Sequence, residues 1–258
     1  MAKPSPNATP EAARRWLTAQ AFAHRGLHDA ARGVPENSLA AFAEAIAQGF
    51  GIELDVRLAA DNVAMVFHDA TLDRLTGMTG PIEHYSSQFL GDTPLLNSTE
   101  TIPTLRKVLS FIAGRVPVLI EVKSNHHVRH RLLAAVRHAL EGYGGPVGVM
   151  SFDPEVAQWF SRQRINVVRG LVVTHHSNAR SRWLARLPFG LALLGWRARQ
   201  PHFLAYDLRS LPNRHAARQR RRGLPILSWT VRSEADLAKA RAHADNVIFE
   251  AVQPLPSP

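Results

Sequence analysis

The chain has no cysteine among its 258 residues. Disulfides and thiolate metal sites are therefore excluded, and the composition is compatible with a reducing compartment. It also lacks an apolar run long enough for repeated membrane spans. No apolar stretch follows the charge in Met1-Ala2-Lys3-Pro4-Ser5-Pro6, so no secretory signal is expected and a cytoplasmic location is the default. Acidic residues are in deficit. Against 31 Lys and Arg stand 21 Asp and Glu, a net charge of +10, with arginine well ahead of lysine. This balance favours anionic partners such as nucleic acid, anionic lipid or a phosphorylated substrate, unless it reflects codon preference alone.

What is present is a hydrophobic fraction of 45%, ample for a full core. Short Val/Ile/Leu-rich runs alternate with longer segments of helical period, and no internal repeat is found. Strands are predicted at residues 21–24, 51–56, 64–68, 117–122, 147–151, 167–173, 203–206, 225–229 and 247–249. Helices are predicted at 38–48, 104–113, 127–141, 154–162, 213–222 and 233–243. Several strands are apolar on both faces, as in a parallel sheet covered by helices. Regular alternation over this length predicts an α/β chain folded as a (β/α)8 TIM barrel. Nine strands are predicted for eight places, so one is accessory. Residues 1–18 read as an N-terminal tail, frayed at 2–10, and 19–252 as the barrel domain. Residues 69–102, rich in Gly, Pro, Ser and Thr, read as a small insertion after the His68 strand.

Chemistry gathers at the strand ends. Glu53 and Asp55 are two apart and share a face of their strand, as do Glu121 and Lys123. At the C-terminal ends of barrel strands these groups surround the mouth, where active sites sit. Three carboxylates gathered there repel unless a cation lies between them. All-oxygen ligation is hard, so Mg²⁺ or Ca²⁺ is expected at Glu53, Asp55 and Glu121, with Mn²⁺ a further option and zinc a poorer fit. His24 and His68 each close an apolar run and can serve as an acid/base pair near neutral pH. Arg25 offers a fork to phosphate oxygens and Lys123 a compact charge. Together these groups predict phosphodiester hydrolysis.

The sequence resembles the glycerophosphodiester phosphodiesterase family. The resemblance rests on His24-Arg25-Gly26, Pro35-Glu36-Asn37-Ser38, Glu53-Leu54-Asp55-Val56, and His68-Asp69 followed by Thr71-Leu72-Asp73-Arg74. It continues through Pro103-Thr104-Leu105, Ile120-Glu121-Val122-Lys123 and Trp229-Thr230-Val231, in family order over residues 20–250. It implies a TIM barrel with a small insertion, and cleavage of glycerophosphodiesters to glycerol 3-phosphate and an alcohol. By the same resemblance Glu53, Asp55 and Glu121 are metal ligands, His24 and His68 the acid/base pair, and Arg25 and Lys123 phosphate ligands. The chain departs from the family pattern at Ser38, at Arg232 and at Ile248-Phe249-Glu250, which bear on substrate preference rather than on catalysis.

Residues 180–200 carry an apolar stretch bordered by arginine and tryptophan. It reads either as an ordinary barrel helix or as a segment lying in a lipid interface through Trp183, Phe189 and Trp196. The second reading makes the protein peripheral to the membrane, a lysophospholipase D-type enzyme acting on lysophospholipids. A non-catalytic anion-binding barrel conflicts with the intact set of chemical residues. The arginine cluster at 214–222 reads as a solvated helix face, so no nucleic-acid partner is expected.

Overall fold

The computed structural model describes residues 10–125, 127–163, 165, 167–174 and 201–254. The expectations for residues 180–200 fall outside the described residues. Among the described residues no helix is long and apolar enough to cross a membrane.

The strands are β1 (Phe22–His24), β2 (Gly51–Leu58), β3 (Ala64–Val66), β4 (Val118–Val122), β5 (Val147–Ser151), β6 (Val168–Val173), β7 (Phe203–Asp207), β8 (Ile226–Val231) and β9 (Asn246–Phe249). The helices are α1 (Pro10–Ala19), α2 (Leu39–Ala47), α3 (Ser87–Asp92), α4 (Leu105–Ile112), α5 (Arg129–Ala139), α6 (Pro154–Ser161), α7 (Arg214–Arg221) and α8 (Glu234–His243). Eight strands run parallel, with helices between most of them among the described residues, and the fold class is the (β/α)8 barrel expected from the sequence. The accessory ninth strand is β3, the one that leads to His68, and it runs antiparallel to β2.

The chain divides into two compact units, residues 22–147 and residues 1–21 with 148–258. In the first unit β2 lies between β1 and β4, parallel to both, with His24 beside Glu53 and Asp55 beside Glu121 in register. The β2–β3 hairpin turns at residues 59–63, where the Ala59 and Asn62 amides donate to the Val63 and Ala59 carbonyls. Asn62 takes the left-handed conformation at φ 64°, which asparagine tolerates. Residues 69–102 form α3 and short turns over a small apolar cluster that includes Met65, Phe67, Leu72, Ile82 and Leu90. In the second unit β5 to β9 are parallel neighbours in chain order. Their apolar cluster centres on Leu204, Tyr206 and Ile226.

Most helix starts follow local chemistry. Ser38, Thr104, Asn213 and Ser233 each accept a backbone amide of the helix they precede. Such caps contribute about 1 kcal/mol apiece. Residues 10–19 differ from the tail expected of them. They form α1, whose Ala13, Trp16 and Leu17 are buried at helical spacing.

Candidate active site

The site is built in the first unit from the ends of β1 and β4, the middle of β2, the turn before α2 and the segment after β3. At the end of β1 the chain reverses through Arg25 (φ 58°) and Gly26 (φ 81°), and the Gly26 amide donates to the Ala23 carbonyl. A Cβ on Gly26 would lie 2.8 Å from the Ala41 Cβ, so only glycine lets α2 approach this turn. The Arg25 amide consequently donates to Glu53 Oε2 at 3.1 Å, and His24 Nε2 lies 3.9 Å from the same oxygen.

Glu53, Asp55 and Glu121 are all buried and offer oxygens within 4.8 Å of one another. Asn37 clamps Asp55 from two sides. Its Nδ2 donates to Asp55 Oδ2 at 3.1 Å, while its Oδ1 accepts the Asp55 amide at 3.2 Å. Two cations neutralise part of the cluster. Lys123 Nζ lies 3.0 Å from Asp55 Oδ1 and 2.5 Å from Glu121 Oε1. Arg25 Nε lies 3.1 Å from Asp55 Oδ2, and its Nη1 donates to Glu36 at 2.7 Å.

The electrostatics separate the three acids. Burial, then Asp55 and Glu121, push the Glu53 carboxyl well above the ordinary glutamate value. Burial also raises Glu121, with Asp55 adding to it and Lys123 opposing. Burial acts against Asp55 as well, yet Lys123 and Arg25 hold its carboxyl below the usual range. Glu53 Oε1 is buried and accepts no hydrogen bond from any described residue. An orphaned carboxylate oxygen beside two further buried carboxylates is the donor set of a hard divalent cation, and these residues fit one.

His68 reaches the site by a route the sequence did not reveal. It follows the antiparallel β3 rather than closing a barrel strand, and the preceding Phe67 amide still donates to the Asp55 carbonyl. The structure thus brings His68 to β2 by a hairpin that folds back on it. His68 Nδ1 pairs with Asp69 Oδ1 at 2.6 Å. Asp69 Oδ2 accepts from Arg74 Nε at 2.5 Å, and Arg74 forks onto Glu36 at 2.7 and 3.0 Å. Glu36 therefore joins Arg25 to the Asp69–His68 pair. Burial lowers the His68 pKa, against the raising influence of Asp55 and Asp69.

The seven site residues picked from the sequence, His24, Arg25, Glu53, Asp55, His68, Glu121 and Lys123, all lie in this first unit. Sequence reasoning gave no role to Glu36, Asn37, Asp69 and Arg74. All four sit inside motifs that carry the family resemblance; the Asp69 partners are near in the chain, whereas the Asn37–Asp55 and Glu36–Arg74 pairs join residues 18 and 38 apart.

The sequence pattern of the glycerophosphoryl diester phosphodiesterase family matches residues 24–252. The chain belongs to this family. It is 33% identical over 163 residues to glycerophosphodiester phosphodiesterase 1 of Bos taurus, covering 59% of this chain and 48% of that protein. A glycerophosphodiester phosphodiesterase of Bacillus altitudinis is 36% identical over 114 residues, 42% of this chain and 45% of that protein. The chain thus spans about half the length of the curated relatives it matches. Among solved structures, an Oleispira antarctica phosphodiesterase in complex with the product sn-glycerol-3-phosphate superposes with a TM-score of 0.76 at 22% identity, over 92% of this chain and 94% of that one. A Thermotoga maritima glycerophosphodiester phosphodiesterase gives 0.71 at 23% identity, over 89% and 94%. At these identities the superpositions establish the fold. The family's barrel accounts for the alternation of strand and helix.

Proposed function

We propose that this chain hydrolyses glycerophosphodiesters to sn-glycerol 3-phosphate and a free alcohol, with one divalent cation held by Glu53, Asp55 and Glu121. The observation that carries the reading is the buried carboxylate trio, within 4.8 Å, flanked by His24 and by the His68–Asp69 pair. Family membership supplies the substrate class. The all-oxygen donor set favours Mg²⁺, Ca²⁺ or Mn²⁺.

When bound, the cation polarises a phosphoryl oxygen as a Lewis acid. Arg25 and Lys123 hold the remaining phosphoryl oxygens, their charges already fixed beside Asp55. One histidine takes the proton of the attacking oxygen, from water or from the glycerol 2-hydroxyl. The phosphorus–oxygen bond to the alcohol breaks, and the other histidine protonates the departing alkoxide. Attack by the 2-hydroxyl leaves a cyclic phosphodiester, which water then opens. With Nδ1 of His68 committed to Asp69, Nε2 is the His68 atom that exchanges the proton.

The test uses chelated protein, glycerophosphocholine, and each of Mg²⁺, Ca²⁺ and Mn²⁺ in turn, with release of sn-glycerol 3-phosphate as the signal. His24→Ala and His68→Ala should each lower kcat by on the order of 10²–10⁴ with unchanged far-UV circular dichroism. Absence of glycerol 3-phosphate release with all three ions would remove the proposal. Wild-type turnover in both variants would remove the assignment of the histidines.

A further inference from the structure

We infer that Arg57 is a third substrate-binding cation, presenting the open end of its guanidinium to an anionic oxygen of the bound diester. This rests on the hydrolase reading above. Side chains on a strand alternate, so Glu53, Asp55 and Arg57 share one face of β2, and Arg57 stands about 7 Å beyond Asp55 toward the C-terminal end. Two contacts fix its position. Its Cα pairs with Met65 across the hairpin, and its Nε donates to the His68 carbonyl at 2.6 Å.

Three of the carboxylates around Arg57 are already paired with cations. Asp55 faces Lys123 and Arg25, and Glu121 faces Lys123. Asp69 is taken by His68 and Arg74, while Glu83 accepts from Asn125 at 3.5 Å. Among the described residues no carboxylate lies within ion-pair distance of Arg57, and Nη1 and Nη2 donate to no described acceptor. Neither is a buried orphan, so the partly buried side chain ends in nitrogens that meet solvent. Arg25 and Lys123, by contrast, each bridge two carboxylates of the site. A partly desolvated fork without a counter-ion, on the face that carries two of the three clustered acids, is suited to a phosphoryl or carboxylate oxygen.

The two sources of such an oxygen are separable. Glycerophosphocholine offers only its phosphoryl oxygens, whereas glycerophosphoserine adds a carboxylate on the leaving alcohol. The experiment compares wild type, Arg57→Gln and Arg57→Lys, as the full chain loaded with the divalent ion that best supports turnover. KM and kcat are measured on both substrates, and sn-glycerol 3-phosphate binding is measured by calorimetry with Mg²⁺ present. Loss of a charge-assisted hydrogen bond should raise KM in Arg57→Gln about tenfold or more, a larger change than any fall in kcat. Arg57→Lys should recover part of it. An equal rise for both diesters, with weaker product binding, places the contact on the phosphoryl group. A rise confined to glycerophosphoserine places it on the leaving alcohol. A fall in kcat alone, with KM and product affinity at wild-type values, would overturn the proposal and leave Arg57 as a brace for the His68 segment. Product binding does not depend on turnover. A chain that binds glycerol 3-phosphate through Arg57 yet hydrolyses neither diester would therefore refute the hydrolase reading and keep this one.

Discussion

Replacing Glu53 by Gln tests whether the carboxylate trio exists to hold a cation. Three buried carboxylates face the two cations Lys123 and Arg25, leaving one negative charge uncompensated when all are ionised. Like charges no more than 4.8 Å apart repel by at least about 3.5 kcal/mol at an effective dielectric of ~20. This repulsion adds to burial in raising the Glu53 pKa. A carboxylate whose folded pKa lies above its unfolded value costs stability as pH rises past the ordinary glutamate range. Gln keeps the shape and still offers an acceptor to the Arg25 amide, but removes the charge. The ion-free variant should therefore melt at or above the wild-type temperature at neutral pH, and the difference should shrink on acidification. Added divalent ion should act in the opposite sense. At 100-fold over Kd it stabilises the wild type by about 2.7 kcal/mol, or about 5–10 °C for a chain of this size. A hundredfold loss of affinity in the variant would reduce that to about 0.4 kcal/mol. Thermal melts with and without Mg²⁺ or Ca²⁺ read both effects. An undiminished ion-induced shift in Glu53→Gln, or an ion-free variant several kcal/mol less stable than wild type, would refute the reasoning.

Two further outcomes follow from neighbouring contacts. Asp69→Asn removes one of the two carboxylates, Asp55 and Asp69, that raise the His68 pKa against burial, so the limb of the pH–rate profile set by His68 should move to lower pH. The direction is the same whether His68 serves as acid or base, and kcat should fall about 10–100-fold, as for partners that orient a site residue. Asn37→Ala deletes both hydrogen bonds to buried Asp55 and places alanine at φ 58°, so denaturant melts should show a loss of about 2–4 kcal/mol. Ion affinity, read by calorimetry, should weaken with it.

Much of the site is visible in the sequence because its logic is local. The two-residue spacing of Glu53 and Asp55 fixes a shared face for any extended backbone, and Glu121 repeats the pattern within Ile120-Glu121-Val122-Lys123. The origin of His68 was not legible. An apolar run ending in His-Asp reads alike whether its strand is parallel to its neighbours or folds back as a hairpin, and the turn at Asn62 is the only local hint. The same limit hid Glu36 and Arg74, whose fork joins residues 38 apart. Helix α1 was concealed by the Pro-rich start that precedes it.

The amino-acid sequence alone thus determined the alternation of strand and helix and the face on which the acids of β2 emerge, since each depends on periods of two or a few residues. Tertiary structure alone decided how closely the buried carboxylates crowd together, that Arg25 and Lys123 are held by those acids while Arg57 is not, and that Asp69 ties His68 to Arg74. Coulomb and hydrogen-bond energies depend on distance through space, and strand register sets that distance.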